Sequence, residues 1–269
     1  MLPLFNEPTK LLLQQNQVIY RIPSAKQQGS LFVKNNHKDI GSSGKNVNWT
    51  AVMDCLNAHA SRLFDSKASV EIYIASEFIR YLALPAQSDF PTVTERYAYA
   101  VAAFEEIHES LVEDWQIALM DVLPSRATLA AAIDRKFVES LMEMAARTKI
   151  KLRLITPAFS DVVLTNYARK SNQSGYLISL ETNHMLVAEF VSGEISRIVN
   201  FRRDDCWHKQ IQDYLKRASL DGGYKRIWWH APDTETLSFG QVSGWSVHRI
   251  PYAWSFAQNI DMSAIRQAI

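Results

Sequence analysis

Apolar and polar residues alternate with a period of two through residues 175–203, and the alternation is interrupted at Asn183 and Gly193. Such alternation, broken by turn residues, is typical of antiparallel strands. The pattern therefore predicts a three-stranded meander. Its first hairpin turn falls at Glu181, Thr182 and Asn183, and its second turn lies at Gly193.

The rest of the chain alternates between strand and helix patterns. A helical stripe with spacing i, i+3, i+4 begins at Trp49, and another follows Asp134, which is a good N-cap residue. Further strands are predicted within 11–21 (two, hinged at 15–17) and at 70–75, 78–84, 115–120, 128–134, 151–155, 226–230 and 246–250; helices are predicted at 49–63, 92–111, 135–147, 157–170, 206–218 and 255–268. The polar segment 27–48 is predicted to be a loop. Strands and helices in this order indicate an α/β protein with sheets of mixed direction.

Composition narrows the class of protein. The 269 residues are 47% hydrophobic and carry a formal net charge of +1, so no global field favours nucleic acid or a membrane surface. The first ten residues lack the layout of a signal peptide, and no apolar run approaches the roughly 20 residues of a spanning helix. The two cysteines, Cys55 and Cys206, are far apart and form no CxxC motif. We therefore expect a cytoplasmic protein without disulfides.

Motifs for metal or nucleophilic chemistry are weak. The seven histidines form no HExxH motif and no i, i+4 ligand pair, so no metal site is predicted. Residues 204–208 (DDCWH) gather candidate ligands, but Asp204 or Asp205 as a helix cap explains the acids. The glycines of residues 41–45 (GSSGK) are too close for a phosphate loop, and neither Ser nor Thr follows Lys45.

Several segments, in their order and spacing, resemble one family. They are residues 74–85 (IASEFIRYLALP), Asp114 with Trp115, residues 130–134 (AAAID), residues 152–157 (LRLITP) and the meander ending in Arg202 and Arg203. Together they resemble the PilM/GspL group, the cytoplasmic actin-like proteins of type IV pilus and type II secretion assembly. The resemblance implies an actin-like (ribonuclease H-like, duplicated) fold with mixed sheets and two lobes around a cleft. It divides the chain into lobes at 1–171 and 172–269, with a subdomain inserted at about 86–156.

The chain departs from the nucleotide-binding pattern of actin-like proteins. Those proteins keep an acid and a glycine on each of two phosphate turns, because backbone amides must approach a metal-bound triphosphate closely. Here the first turn contains Gln15 and Asn16, and the second contains Glu181 and Thr182, with no glycine on either. We therefore predict no nucleotide cofactor, no catalytic residues and no ATP hydrolysis.

Without nucleotide binding, the resemblance to the PilM/GspL group implies a scaffold protein. It would lie in the cytoplasm, peripheral to the inner membrane, and dock an assembly ATPase and the tail of a membrane subunit, with a homodimer also allowed and no nucleic acid bound. Acids at Glu105, Glu106 and Glu109 are candidates for holding a basic tail, although a solvated helix face also explains them. The pair Trp228 and Trp229 is expected to turn one ring outward for a partner. Two alternatives stay open: an actin-like ATPase with unusual phosphate loops, and a regulator that imitates a platform subunit to block assembly.

Overall fold

The computed structural model describes residues 7–34, 49–64, 68–86, 92–120, 127–167, 172–220, 225–232, 235 and 244–252. The GSSGK segment at 41–45 and the helix predicted at 255–268 lie outside these residues. The described strands, in chain order, are β1 (Thr9–Leu13), β2 (Gln17–Ile22), β3 (Gln27–Phe32), β4 (Ser69–Ile74), β5 (Ile79–Leu84), β6 (Trp115–Met120), β7 (Thr128–Asp134), β8 (Lys151–Pro157), β9 (Gly175–Leu180), β10 (His184–Val191), β11 (Glu194–Arg202), β12 (Arg226–His230) and β13 (Ser246–Ile250). The helices are α1 (Thr50–Leu63), α2 (Val93–His108), α3 (Arg135–Thr148), α4 (Ala158–Tyr167) and α5 (Trp207–Leu220), and two 3-10 segments cover Ser76–Phe78 and Glu109–Asp114.

Two five-stranded sheets repeat one topology. The first has the order β3-β2-β1-β4-β8 and the second has the order β11-β10-β9-β12-β13. Each begins with an antiparallel meander whose first strand then pairs in parallel with a later strand. The hairpin β1–β2 therefore corresponds to the hairpin β9–β10. This is the duplication that the sequence predicted.

A smaller antiparallel sheet, β5-β7-β6, is formed by strands that lie between β4 and β8 in the sequence, within the first repeat. Its central strand β7 contains Ala130, Ala131 and Ala132, which are all buried. Ala130 and Ala132 pack with Phe104 of α2, whereas Ala131 faces the core of the first sheet. Alanine fits here because the strand is covered on both faces. The strand-then-helix prediction for 128–147 is confirmed.

Local sequence explains where α3 begins and ends. The Asp134 carboxylate accepts a hydrogen bond of 2.8 Å from the Lys136 backbone N–H and thereby caps the helix. Lys149 ends the helix in the left-handed conformation, with φ 56°. Both helix ends thus satisfy backbone groups that the helix itself leaves free.

Several predicted boundaries need correction. The segment 27–48 was predicted to be a loop, but Gln27–Phe32 forms β3, because an edge strand paired to β2 can expose its polar residues to solvent. The predicted helix at 92–111 ends at His108 and tightens into the 3-10 segment Glu109–Asp114. Pro157 ends β8, and α4 starts one residue later.

The prediction that one of the paired tryptophans faces outward is wrong. Trp228 is 4% exposed and Trp229 is 2% exposed, because the second sheet is covered on both faces. Trp229 stacks on Trp207 of α5 at 6.1 Å between ring centroids. Trp228 lies on the opposite face, in a cluster that includes Phe159 of α4. Neither indole is available as a partner surface.

Candidate functional site

The two hairpin turns that correspond by duplication contact each other. The β1–β2 turn is closed by backbone hydrogen bonds between Gln14 and Gln17, and the β9–β10 turn by the Glu181 N–H donating to the His184 carbonyl at 2.8 Å. The Thr182 hydroxyl donates to the side-chain carbonyl of Gln14 at 3.0 Å. Residues 168 positions apart are thereby joined at the position where the resemblance places the phosphate turns.

The Glu77 carboxylate binds both turns at once. Glu77 lies in the 3-10 segment between β4 and β5 and is 3% exposed. One carboxylate oxygen accepts from the backbone N–H of Gln15, and the other accepts from the Asn183 side-chain amide at 2.8 Å. The two hydrogen bonds satisfy both oxygens of this buried carboxylate.

A second carboxylate, that of Glu181, binds the same 3-10 segment. Its two oxygens accept from the Ser76 backbone N–H at 2.8 Å and from the Ser76 hydroxyl at 2.7 Å. Burial, with a smaller contribution from Glu77, raises the pKa of Glu181 to about 7, although the bonds from Ser76 favour the charged form. We call the connected set the inter-turn network, and it comprises Gln14, Gln15, Ser76, Glu77, Glu181, Thr182 and Asn183.

Arg203 contacts the backbone of the second turn. Its guanidinium donates to the Glu181 backbone carbonyl at 3.4 Å and forms an ion pair with Glu235. The same group lies 5.6 Å from the centroid of the Trp207 ring, in a cation–π contact. The guanidinium therefore fixes the backbone of the turn and leaves the Glu181 carboxylate to Ser76.

A buried serine–histidine pair lies near the network. Ser179 Oγ and His230 Nδ1 are 2.9 Å apart on the neighbouring parallel strands β9 and β12. Burial lowers the pKa of His230 to about 4, and its ring packs against Tyr252 at 4.9 Å. Both side chains are almost inaccessible, so the pair satisfies buried polar atoms and does not form an accessible nucleophile.

The inter-turn network does not fit a nucleoside triphosphate. The Gln15 amide, which could face a phosphate, is bonded to Glu77, and the Thr182 hydroxyl is bonded to Gln14. Neither turn has a glycine to let backbone amides approach phosphate, and the buried carboxylates of Glu77 and Glu181 lie beside the turns instead. Among the described residues, no group of three His, Cys, Asp or Glu side chains could hold a metal ion.

The predicted acidic residues lie on and after α2. Glu105 and Glu106 are exposed, as are Glu113 and Asp114, whereas the side chain of Glu109 lies outside what the structure describes. The next residue, Trp115, is half-buried, and its ring contacts His108 at 5.0 Å. The acids therefore lie beside an aromatic surface.

Trp115 lines a small pocket beside the small sheet. The pocket has a volume of about 30 Å³, roughly that of one water molecule, and is lined by Trp49, Glu77, Phe78, Arg80, Trp115, Ala132, Ile133, Asp134 and Phe137. Trp49 stacks on Phe137 at 5.3 Å, and its indole N–H donates to Asp134 at 3.0 Å. The pocket therefore presents aromatic surface together with charged groups of both signs.

The sequence identified part of this site. It singled out Gln15, Asn16, Glu181 and Thr182, and the structure brings these turns together. It missed Ser76 and Glu77, which connect the turns. Their signal was available, since they are adjacent polar residues inside the otherwise apolar run 72–79.

Comparison with known proteins identifies the fold. No protein-family model and no curated protein matches the chain. A Bacteroides thetaiotaomicron protein with an actin-like ATPase fold and unknown function is 15% identical, with a TM-score of 0.57 over 97% of this chain and 96% of that one. The cytoplasmic domain of EpsL, an inner-membrane component of the Vibrio cholerae type II secretion system, is 10% identical, with a TM-score of 0.50 over 90% and 89% of the two chains. The PilM–PilN type IV pilus biogenesis complex matches at 8% identity, with a TM-score of 0.58 over 91% and 88%.

The chain therefore has the actin-like fold, and the predicted likeness to the PilM/GspL group is confirmed at the level of fold. The structures that share this fold include an ATPase-fold protein and components of two membrane-assembly systems. In the described part of the chain, no helix is long and apolar enough to cross a membrane.

Proposed function

We propose that this protein is a non-catalytic cytoplasmic scaffold of an inner-membrane assembly platform, of the type IV pilus or type II secretion kind. It docks the tail of a membrane subunit on one surface and an assembly ATPase on another. The proposal extends to this chain what the names of its structural neighbours state: an inner-membrane secretion component and a pilus biogenesis complex. Because proteins with one fold can have different functions, the function is inferred from the inter-turn network and the surface beside α2.

The inter-turn network is the observation that supports a scaffold over an ATPase. In this network the turns that would hold phosphates are bonded to each other through Gln14, Glu77 and Thr182. Opening it for a nucleotide would leave two buried carboxylates without partners, which is costly. The network also fixes the two repeats relative to each other, which suits a docking platform.

The surface beside α2 supports the docking of a tail. Cytoplasmic tails next to a membrane-spanning helix are enriched in Lys and Arg, so their docking surface should offer acids. Glu105, Glu106, Glu113 and Asp114 are exposed there, and the half-buried Trp115, which lines the neighbouring small pocket, offers an apolar contact. Capture of an extended peptide needs this combination of a pocket and steering charge.

Titration calorimetry with ATP and magnesium tests the scaffold role. We expect no binding with a Kd in the micromolar range, because the donors of both turns are already bonded. A micromolar Kd that is lost in Glu181→Ala would instead support the ATPase with unusual phosphate loops. That outcome would overturn the scaffold.

Charge reversal tests the docking surface. The variant Glu105→Lys/Glu106→Lys/Glu109→Lys should lose membrane-fraction recruitment and partner pull-down while keeping its melting temperature. A matched control reverses three other exposed acids, Asp54, Glu139 and Glu143, which lie on α1 and α3. Unchanged recruitment in the first variant, or equal loss in the control, would rule out the acidic surface beside α2.

A further inference from the structure

Four basic side chains lie close together at the end of α3 and along β8. Arg147 is in the last turn of α3, Lys149 is its left-handed cap, and Lys151 and Arg153 follow in β8. All four are exposed, and we call them the basic strip.

The charges of the basic strip are not neutralised within the described part of the chain. Arg147 donates to the neutral amide of Asn57 at 2.6 Å, and no described carboxylate forms an ion pair with any of the four residues. The sequence has no Asp or Glu between residues 143 and 161. A chain with a net charge of only +1 therefore concentrates positive charge at this edge.

A β-bulge adds an exposed leucine to the strip. Val70 pairs with Leu152 and Glu71 pairs with Leu154, so Arg153 is the extra residue. Leu152 packs against the core, but the bulge turns both Arg153 and Leu154 outward. Leu154 is 41% exposed as a result.

Protection of a sheet edge explains only part of this arrangement. β8 ends the first sheet, and bulges and basic residues on edge strands discourage pairing with another chain. An exposed leucine does not serve that purpose, because apolar exposure on an edge favours association. Cations beside an apolar side chain do match an anionic lipid surface, where the cations meet headgroup phosphates and the leucine enters the interface.

We infer that the basic strip and Leu154 form a contact surface for an anionic phospholipid membrane. The inference goes beyond the platform role and does not depend on it, since the ligand is lipid and no protein partner is needed. It adds a direct contact to an association that the sequence predicted to occur only through partners.

Vesicle flotation with the purified full chain tests this surface. The wild type should float with vesicles of phosphatidylcholine and phosphatidylglycerol, stay unbound with phosphatidylcholine alone, and be released by high salt. Lys151→Gln/Arg153→Gln should weaken binding roughly thirtyfold, as expected for the loss of two cations at a lipid surface. Leu154→Ser should weaken binding several-fold without changing its salt dependence. The matched control, Lys26→Gln/Lys209→Gln, removes two exposed cations elsewhere and should bind like the wild type.

Four results would overturn the inference. Absence of flotation with anionic vesicles, or an equal loss in the control, would show that the strip has no specific lipid contact. Aggregation of the strip variant without altered lipid binding would assign the strip to edge protection. Equal affinity for duplex DNA, lost in the same variant, would assign it to nucleic acid.

Discussion

At the scale of single residues, Glu181 is an acid whose burial raises its pKa. It is 8% exposed and lies near the Glu77 carboxylate, and its own carboxylate oxygens accept hydrogen bonds from Ser76. Its pKa is raised to about 7, so the folded protein retains a proton that the unfolded chain has already lost. A group of this kind makes stability depend on pH.

We expect the free energy of unfolding to fall as pH rises from about 4.5 to about 7, because the unfolded Glu181 is already ionised there. Glu181→Gln mimics the protonated form and should remove this loss. The variant should match the wild type below about pH 4.5 and exceed it by about 2–3 kcal/mol at pH 8. Denaturant unfolding across the pH range measures the difference.

His230 acts in the opposite direction and must be separated from this effect. Its folded pKa is lowered to about 4, so its contribution to stability rises with pH between about 4 and 6.5. Because His230 is present in both proteins, the difference between Glu181→Gln and wild type cancels it. A difference that does not vary with pH would show that Glu181 is ionised in the folded state throughout.

Predictions about single residues succeeded where the interaction involves only neighbours in the sequence. The cap at Asp134 follows from one side chain and its next neighbours, and the structure confirms it. The prediction of an outward-facing tryptophan was wrong for a non-local reason. Alternation predicts that neighbouring side chains lie on opposite faces of a strand, but it does not predict which elements cover each face. Trp228 is buried by α4, which the sequence could not place against the second sheet.

At the scale of elements, the approach of β9 to β12 requires glycine at position 175. Gly175 has φ +156°, and an added Cβ would lie 2.7 Å from the Arg226 carbonyl oxygen and 3.0 Å from the Trp228 ring. Neither neighbour can move freely, since one is backbone in β12 and the other is a buried indole.

Gly175→Ala should therefore destabilise the protein by about 2–4 kcal/mol, combining backbone strain with a steric clash. Gly244→Ala is the matched control: Gly244 also has a positive φ, +94°, but the nearest atoms to its added Cβ are 3.5 Å away on the Lys225 side chain. Its loss should be about 1–2 kcal/mol. Thermal unfolding measures both losses. If the two variants lose the same stability, the close approach of β9 to β12 is not the reason that position 175 needs glycine.

Elements were predicted well where the spacing of apolar residues and the turn or cap residues indicated the same boundaries. Examples are the meander 175–203 and the change from strand to helix at Asp134. β3 was missed because Gln27–Phe32 has little apolar signal of its own and is a strand only through pairing with β2. The bulge at Arg153 was also missed, since register depends on the neighbouring strand. Pairing is non-local information that a single segment does not contain.

At the scale of the whole molecule, two kinds of contact join the repeated sheets. The inter-turn network provides polar bonds between their hairpin turns. An apolar cluster that includes Leu129, Phe159 and Leu186 joins the small sheet and α4 to the second sheet. The sequence predicted the duplication but not this network, because its members come from three segments brought together only by the fold. We expect the two repeats to respond to perturbation as one unit.

The variant Thr182→Val/Asn183→Ala tests that coupling. It removes the Thr182 donor to the Gln14 carbonyl, which keeps its bond from Gln17, and the Asn183 donor to one Glu77 oxygen, while the other Glu77 oxygen keeps its bond from the Gln15 amide. We expect a loss of about 1–3 kcal/mol and faster hydrogen exchange in the β1–β2 turn as well as in the mutated turn. The effect on β1–β2 is informative because no residue there is changed.

Asn200→Ala is the matched control for this experiment. Asn200 accepts a 2.9 Å hydrogen bond from His184 within the second sheet and is exposed. Its removal should change exchange near β10 and β11 and leave the β1–β2 turn unchanged. If the double variant also leaves the β1–β2 turn unchanged, the hairpins are independent and the network does not couple the repeats. If exchange rises across both turns while thermal unfolding remains one transition, the network transmits strain between two repeats that still unfold together.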